Sequence, residues 1–228
     1  MIVVTCRSMR ADRTDGGPIR PRRERTGLRG LVRANLDLVE LLRTERLLLR
    51  HWEEPDVAAF FDLYSRDDVV RWLGAHPRRP LTSTQEARER MARWREHERG
   101  LASPLGLWAM VPCPGQSPGE SPEESPGQPV GTLLLLPLSD GSEPTGLVEV
   151  GWHLHPEHQG QGLATEAAQA VLAQAAQAGI DQVLALTDLD NIASQRVATR
   201  LGMQDEGVTG RWFGLTMRQY RKVIVNNI

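Results

Sequence analysis

Glu149-Val-Gly-Trp-His-Leu-His-Pro-Glu-His-Gln-Gly-Gln-Gly-Leu-Ala164, continuing into Thr165-Glu-Ala-Ala168, is the stretch on which the fold turns. A strand-type run ends at Pro156, a turn carries Gln159-Gly-Gln-Gly162, and an alanine-rich helical pattern starts at once. The order strand, glycine turn, helix leaves a row of backbone N–H groups free at a helix N-terminus, where they and the helix dipole stabilise an anionic phosphate. The turn is too short for a P-loop, which needs lysine and then Ser or Thr after its last glycine, and it lacks the three-glycine spacing of a dinucleotide fingerprint. In the helix, Leu163, Ala164, Ala167, Ala168, Val171, Leu172 and Ala175 form a broad apolar stripe. Gly179 is placed to end it as a left-handed cap.

Upstream, the leucines of Thr44-Glu-Arg-Leu-Leu-Leu-Arg50 read as a short strand. Pro55 opens a helix with Val57, Ala58, Phe61 and Leu63 at helical spacing, and Asp67 to Leu73 makes a further helical turn. Thr82-Ser-Thr-Gln-Glu86 offers a capping box for a longer helix that turns Ala87, Met91 and Trp94 to one side and ends at Gly100. Strands are expected over 105–111, 130–138 and 147–154. After the central helix come a strand over 180–187, a helix capped by Asp190 or Asn191 with Ala193, Val197 and Leu201 inward, and strands over 203–208 and 215–223. The fold class is mixed α/β: a mostly antiparallel central sheet flanked by helices, with one crossover at the glycine turn.

Outside this domain, expected over 44–223, two segments differ in composition. Residues 1–43 form a basic tail, with nine arginines against five acids in the first 42 positions and few large apolar residues to offset the entropy of ordering. Residues 112–129 hold six prolines and a Ser-Pro repeat at 117, 121 and 125, and read as a low-complexity loop between strands. Cys6 and Cys113 fall in these two segments, which argues against both a disulfide and an activated thiolate. A net charge of −2 argues against nucleic acid as a partner. No apolar run reaches the roughly 18 residues of a membrane span, and no signal peptide is evident, so the expected compartment is the cytoplasm.

Gln159-x-x-Gly162-x-Ala164 between a strand and an alanine-rich helix resembles the acetyl-CoA pyrophosphate loop of the GNAT superfamily of N-acetyltransferases. Glu149-Val-Gly-Trp152, Thr165-Glu-Ala167, the opening Thr44-to-Arg50 run, Asn191-Ile-Ala-Ser194 and Leu201-Gly-Met203 are similar to its RimJ/RimL-type branch, which acetylates ribosomal-protein N-termini. The resemblance implies an acetyl-CoA-dependent acyltransferase acting by direct attack of a primary amine, from a protein N-terminus or a small molecule. It places the pyrophosphate on Gln159, Gly160, Gln161, Gly162, Leu163 and Ala164, the acetyl carbonyl and pantetheine amides on backbone groups of Trp152 and Leu154, and the pantetheine arm beside Asn191. Many members have Arg where this chain has Gln159, so a positive charge beside the phosphates is missing. A non-catalytic acyl-CoA-binding or sensing domain, or transfer of another acyl group such as succinyl, are the alternatives; a homodimer is admitted.

An α-amino group, with a pKa near ~8, is mostly protonated at neutral pH and needs a base or water relay before it can attack. Glu149, an acid in an otherwise apolar strand at the place where the resemblance puts one, is the candidate base. The tyrosine that many members carry seven residues after the asparagine is Ala198 here, and the resemblance passes the task of meeting the leaving thiolate to Ser194. His153, His155 and His158 lack the Asp or Cys of a familiar zinc spacing, so no metal is expected, although one of them could relay a proton. Trp72, Trp94 and Trp152 are expected in the core or a pocket wall. Arg66, Arg71, Arg78, Arg79 and Arg211, in the segments expected to shape the acceptor pocket, would favour an acidic acceptor.

Overall fold

The computed structural model describes residues 42–74, 76–113, 127–140 and 144–224. Nearly all of the predicted tail and the centre of the proline-rich loop, with Cys6, lie outside these. Eight strands form one sheet in the order β1-β2-β3-β4-β5-β6-β8-β7. They are β1 (Leu42–Arg43), β2 (Leu47–His51), β3 (Gly106–Pro112), β4 (Gly131–Ser139), β5 (Pro144–Leu154), β6 (Gln182–Thr187), β7 (Gln204–Thr209) and β8 (Met217–Val223). Every neighbouring pair is antiparallel except β5 and β6. The mixed, mostly antiparallel fold expected from the sequence is therefore the fold observed. β1 is an addition, and Pro112 belongs to the sheet rather than the loop: it pairs with Leu47, and just beyond it the Cys113 N–H donates to the Arg46 carbonyl at 2.9 Å.

Two helical layers cover the sheet. On one face lie α1 (Val57–Tyr64), the short α2 (Asp67–Val70) and α3 (Thr84–Glu98), packed on Leu107, Ala109, Leu134 and Leu136. On the other lie α4 (Leu163–Gln177) and α5 (Ile192–Arg200), packed on Leu47, Leu49, Leu133, Leu135 and Val150. The alternation of adjacent β4 leucines between the two clusters is the period of two of a strand buried on both faces. All seven predicted stripe residues of α4 are buried, and Gly179 has φ +81°. On α3, Ala87, Met91 and Trp94 are buried as expected, and the Ser83 side chain accepts from the Glu86 N–H at 3.2 Å.

Two faces differ from the reading of the sequence. In α1 the buried residues are Val57, Phe60, Leu63 and Tyr64, while Ala58 is exposed and Phe61 half-buried. The run is apolar at nearly every position, so its period does not choose a face. Edge contacts of Phe60 with Trp52 and Trp94, at 5.0 and 5.1 Å between ring centroids, hold it inward. In α5, Ala193 is exposed and Ala198 buried, because the helix turns its Ala193 side toward a groove. Among the described residues no helix is long and apolar enough to cross a membrane.

Candidate active site

The two central strands part company. β5 pairs with β4 as far as Leu154 opposite Gly131, but it pairs with β6 at a single point, Glu149 opposite Leu184. The His155 N–H donates to the Val130 carbonyl at 2.8 Å, and an antiparallel ladder alternates, so Glu149, Gly151 and His153 direct their backbone groups to β4. Val150, Trp152 and Leu154 then direct theirs the other way, and past the junction β6 is not there to receive them.

A cavity of about 240 Å³ occupies the gap. Trp152, Leu154, Gln159, Gly160, Gly162, Ala164, Asn191 and Ser194, all predicted site residues, line it. Asp68, Val69, Trp72 and Leu73 form its opposite wall, and a smaller cavity of about 40 Å³ continues between Val150–His153 and Ala185–Asp188. Gly160 and Gly162 have φ of +77° and +82°, a left-handed conformation that side-chain-bearing residues resist. They turn the chain so that α4 begins at the groove with its first N–H groups unbonded within the helix.

Three predicted residues do not line either cavity. Leu163 is buried in the core, because the first apolar position of the α4 stripe faces inward. Gln161 is exposed, and its carbonyl accepts from Arg46 Nη1 at 2.9 Å. Glu149 is only 3% exposed and sits at the apex, where β5 and β6 separate. Burial pushes its carboxyl above the usual carboxylate range. The Asn191 side chain is partly committed elsewhere, since its Oδ1 accepts from the Ser194 N–H at 3.1 Å and so caps α5.

Sequence reasoning missed Arg196 and Arg200, which line the groove from α5, with Arg200 Nε reaching Thr165 Oγ1 at 3.4 Å. Their spacing of four on a helix capped by Asn191 was the available signal. They supply positive charge near the α4 N-terminus, where Gln159 brings none. The five arginines expected to draw an acidic acceptor do not line the groove. Arg66, Arg78, Arg79 and Arg211 are paired with Asp62, Asp188, Glu86 and Asp140, and Arg71 lies over the Trp72 ring.

The histidines separate by environment. His153 points into the α1 side, with Nδ1 2.9 Å from Tyr64 Oη, and burial pushes its pKa down to about 3. His155 Nε2 lies 3.1 Å from Asp62 Oδ2. Among the described residues no three His, Cys, Asp or Glu side chains gather as a metal site.

One clamp holds the glycine loop against the sheet. Glu166, in the first turn of α4, accepts from Thr44 Oγ1 at 2.6 Å, the Arg46 N–H at 2.8 Å and Arg46 Nε at 2.7 Å. Partial burial would raise this carboxyl, but the three donors and the Arg46 charge override it and hold it below the usual range. Glu166→Ala should therefore cost about 2 kcal/mol in urea unfolding. Because the folded pKa is depressed, that contribution exists above the unfolded pKa and is lost as pH falls through the folded one. The gap between wild type and variant should close in acid; a constant gap would mean the carboxylate is not the clamp.

Comparison with known proteins agrees with this geometry. A family model described as "Acetyltransferase (GNAT) domain" matches residues 46–204. The uncharacterized N-acetyltransferase YoaA of Bacillus subtilis is 25% identical over 169 residues, spanning 74% of this chain and 85% of that protein. The Salmonella typhimurium acetyl transferase that modifies the N-terminal serine of 50S ribosomal subunit protein L7/L12 superposes with a TM-score of 0.59 at 20% identity, over 81% of this chain and 99% of that one. A RimL ribosomal L7/L12 α-N-protein acetyltransferase solved in complex with coenzyme A gives 0.60 at 20%, over 81% and 98%. The two solved structures establish a shared fold, and the match of the family model over well more than half the length establishes kinship: the chain belongs to the GNAT acetyltransferase family and is by class an N-acetyltransferase.

Proposed function

We propose that the protein uses acetyl-CoA to acetylate a primary amine by direct attack, the acceptor being a protein N-terminus or a small-molecule amine. The observation that carries this reading is the gap between β5 and β6, with outward-turned backbone groups at Trp152 and Leu154 and the α4 N-terminus at one end. A long, amide-bearing chain that ends in phosphates fits those features. Trp152 Nε1 and Thr187 Oγ1, buried without a hydrogen-bond partner among the described residues, are further polar atoms at or beside the groove that a bound chain could satisfy. Bound acetyl-CoA would supply an acyl thioester as the donor. Backbone N–H groups of the glycine loop and first turn of α4, from Gln159 to Ala164, would hold the pyrophosphate, with Arg196 and Arg200 adding charge.

On the chemistry side, the Trp152 N–H would stabilise charge developing on the acyl oxygen. Glu149 would take the proton of the attacking ammonium. As it does not line either cavity, the transfer would run through water at the apex. Ser194, which lines both cavities, would hydrogen-bond the departing sulfur. The same buried placement of Glu149 favours a second reading, an acyl-CoA-binding domain without catalysis. Succinyl transfer would call for a cation beyond the thioester, and the groove's arginines lie on α5 instead.

The deciding experiment is thiol release from acetyl-CoA with a broad panel of amines, alongside calorimetric binding of CoA. Turnover with at least one amine class is expected. Tight CoA binding with no amine acetylated would leave the non-catalytic reading in place.

A further inference from the structure

Beside the acyl groove runs a buried polar chain that the proposed chemistry does not use. Trp52 Nε1 lies 3.2 Å from Thr132 Oγ1, Thr132 Oγ1 2.7 Å from Tyr64 Oη, and Tyr64 Oη 2.9 Å from His153 Nδ1. All four side chains are buried, Thr132 completely. They come from the turn before α1, from α1, from β4 and from β5, and these contacts are their only side-chain hydrogen bonds among the described residues.

The direction of the protons follows from the donor inventory. An indole nitrogen only donates, so Trp52 gives its hydrogen to Thr132. The Thr132 hydroxyl proton, at a fully buried site, needs an acceptor, and among the described residues Tyr64 Oη is the one in place to take it. Tyr64, accepting from Thr132, then has one place for its own proton, His153 Nδ1. Burial keeps the imidazole neutral. A neutral ring that accepts at Nδ1 carries its hydrogen on Nε2. His153 lines both cavities. The chain thus ends in an N–H donor of fixed tautomer that opens to the groove.

Its position shows what it would meet. Trp152 and Leu154 pack toward the α4 side, whereas His153 alternates to the α1 side, where Asp68, Val69, Trp72 and Leu73 form the wall. Asp68 is exposed there with no ion-pair partner among the described residues, so an incoming ammonium is attracted to this wall. Of the arginines near this wall, Arg66, Arg78 and Arg79 are engaged with carboxylates and Arg71 with Trp72, while Arg196 and Arg200 line the groove from α5, so the His153 N–H is the donor on this side for an uncharged oxygen.

We infer that His153 is a specificity-determining residue for the acceptor: its Nε2–H donates to a carbonyl or hydroxyl oxygen on the carbon next to the amine-bearing carbon. The site would prefer α-amino acyl groups and vicinal amino alcohols to plain alkyl amines, and it would reject a second ammonium in that place. The role of His153 as a proton relay is thereby replaced, since Nδ1 is already occupied and Nε2 is not free to accept. This rests on the acetyl-transfer reading above.

The test has two readouts on the full-length protein. The first is the ¹⁵N shift of the two His153 ring nitrogens without substrate: Nδ1 should fall in the unprotonated range and Nε2 in the N–H range across neutral pH, and Tyr64→Phe should mix the tautomers. A protonated Nδ1 in the wild type overturns the inference. The second is acetylation of alanine amide and of 2-aminopropane, which differ by the carboxamide, and likewise of 2-aminoethanol and ethylamine. His153→Leu should lower kcat/KM for the oxygen-bearing partner roughly tenfold more than for the plain amine, mainly through KM. His153→Gln, which keeps an N–H near the Nε2 position, should recover most of the loss. Equal losses on both partners, or a wild-type preference for the plain amines, overturn the inference while leaving acetyl transfer intact. If CoA binds and neither class is acetylated, the acetyl-transfer reading falls and takes this role with it.

Discussion

Glu149→Gln should lower acceptor turnover by roughly a hundredfold to ten-thousandfold, the usual contribution of a positioned general base, with CoA affinity unchanged. The carboxyl is 3% exposed at the point where β5 and β6 separate, next to the strand residues that line the gap. Burial raises its pKa, so the acid limb of the wild-type pH–rate profile should lie above the range of an ordinary carboxylate. Activity needs the ionised form and is lost as pH falls through that raised pKa; the variant should lack the limb. Stability should move oppositely. A carboxyl whose folded pKa is raised contributes stability below its unfolded pKa and loses it as pH rises through the folded value. The uncharged Gln avoids that loss, so the variant should melt higher than wild type at neutral pH and not in acid. Wild-type turnover in Glu149→Gln would end the proposal that this residue is the base.

The second large effect is on stability and comes from a single methyl. A Cβ built on Gly131 would lie 2.3 Å from the His153 carbonyl oxygen, 2.6 Å from Met110 Cε and 2.9 Å from Leu154 Cδ2. The side chains can yield, but the carbonyl belongs to the β5 backbone, which pairs with β4 at this point. Gly131→Ala should cost about 3 kcal/mol or more, the upper part of the range for overpacking, and lower Tm by about 6–12 °C for a chain of this size. It should also weaken CoA binding, since relief of the clash moves Trp152 to Leu154 away from the groove. Gly151→Ala is the control. Its contacts are Leu134 side-chain carbons at 3.2 to 3.3 Å, which can give by a few tenths of an ångström, so its cost should be smaller. Similar melting temperatures for both variants would show that the β4–β5 contact is not rigid.

The parts of the molecule that a reader of the sequence can see are those whose geometry is contained in neighbouring residues. The α4 stripe was legible because seven small or aliphatic residues at a period of 3.6 can bury only one way. The loop was legible because glycines between a strand and a helix leave few other conformations. In α1, by contrast, Val57-Ala-Ala-Phe-Phe61 gives no period to read, and the choice of Phe60 over Phe61 falls to Trp52 and Trp94. The acceptor-side arginines were misjudged for a related reason: their partners Asp62, Glu86, Asp140 and Asp188 cannot be assigned before the chain is folded.

By itself, then, the sequence determined the order of elements from β2 onward, the mixed α/β class and the turn that starts α4, since helical period, strand alternation and glycine dihedrals are local properties. Only the tertiary structure decided that β5 leaves β6 after Glu149, that Arg196 and Arg200 share the groove, and that His153 Nδ1 meets Tyr64 Oη. Those depend on strand pairing and on donors such as Tyr64, 89 positions away along the chain, and local periodicity carries no information about groups that meet only when the sheet closes.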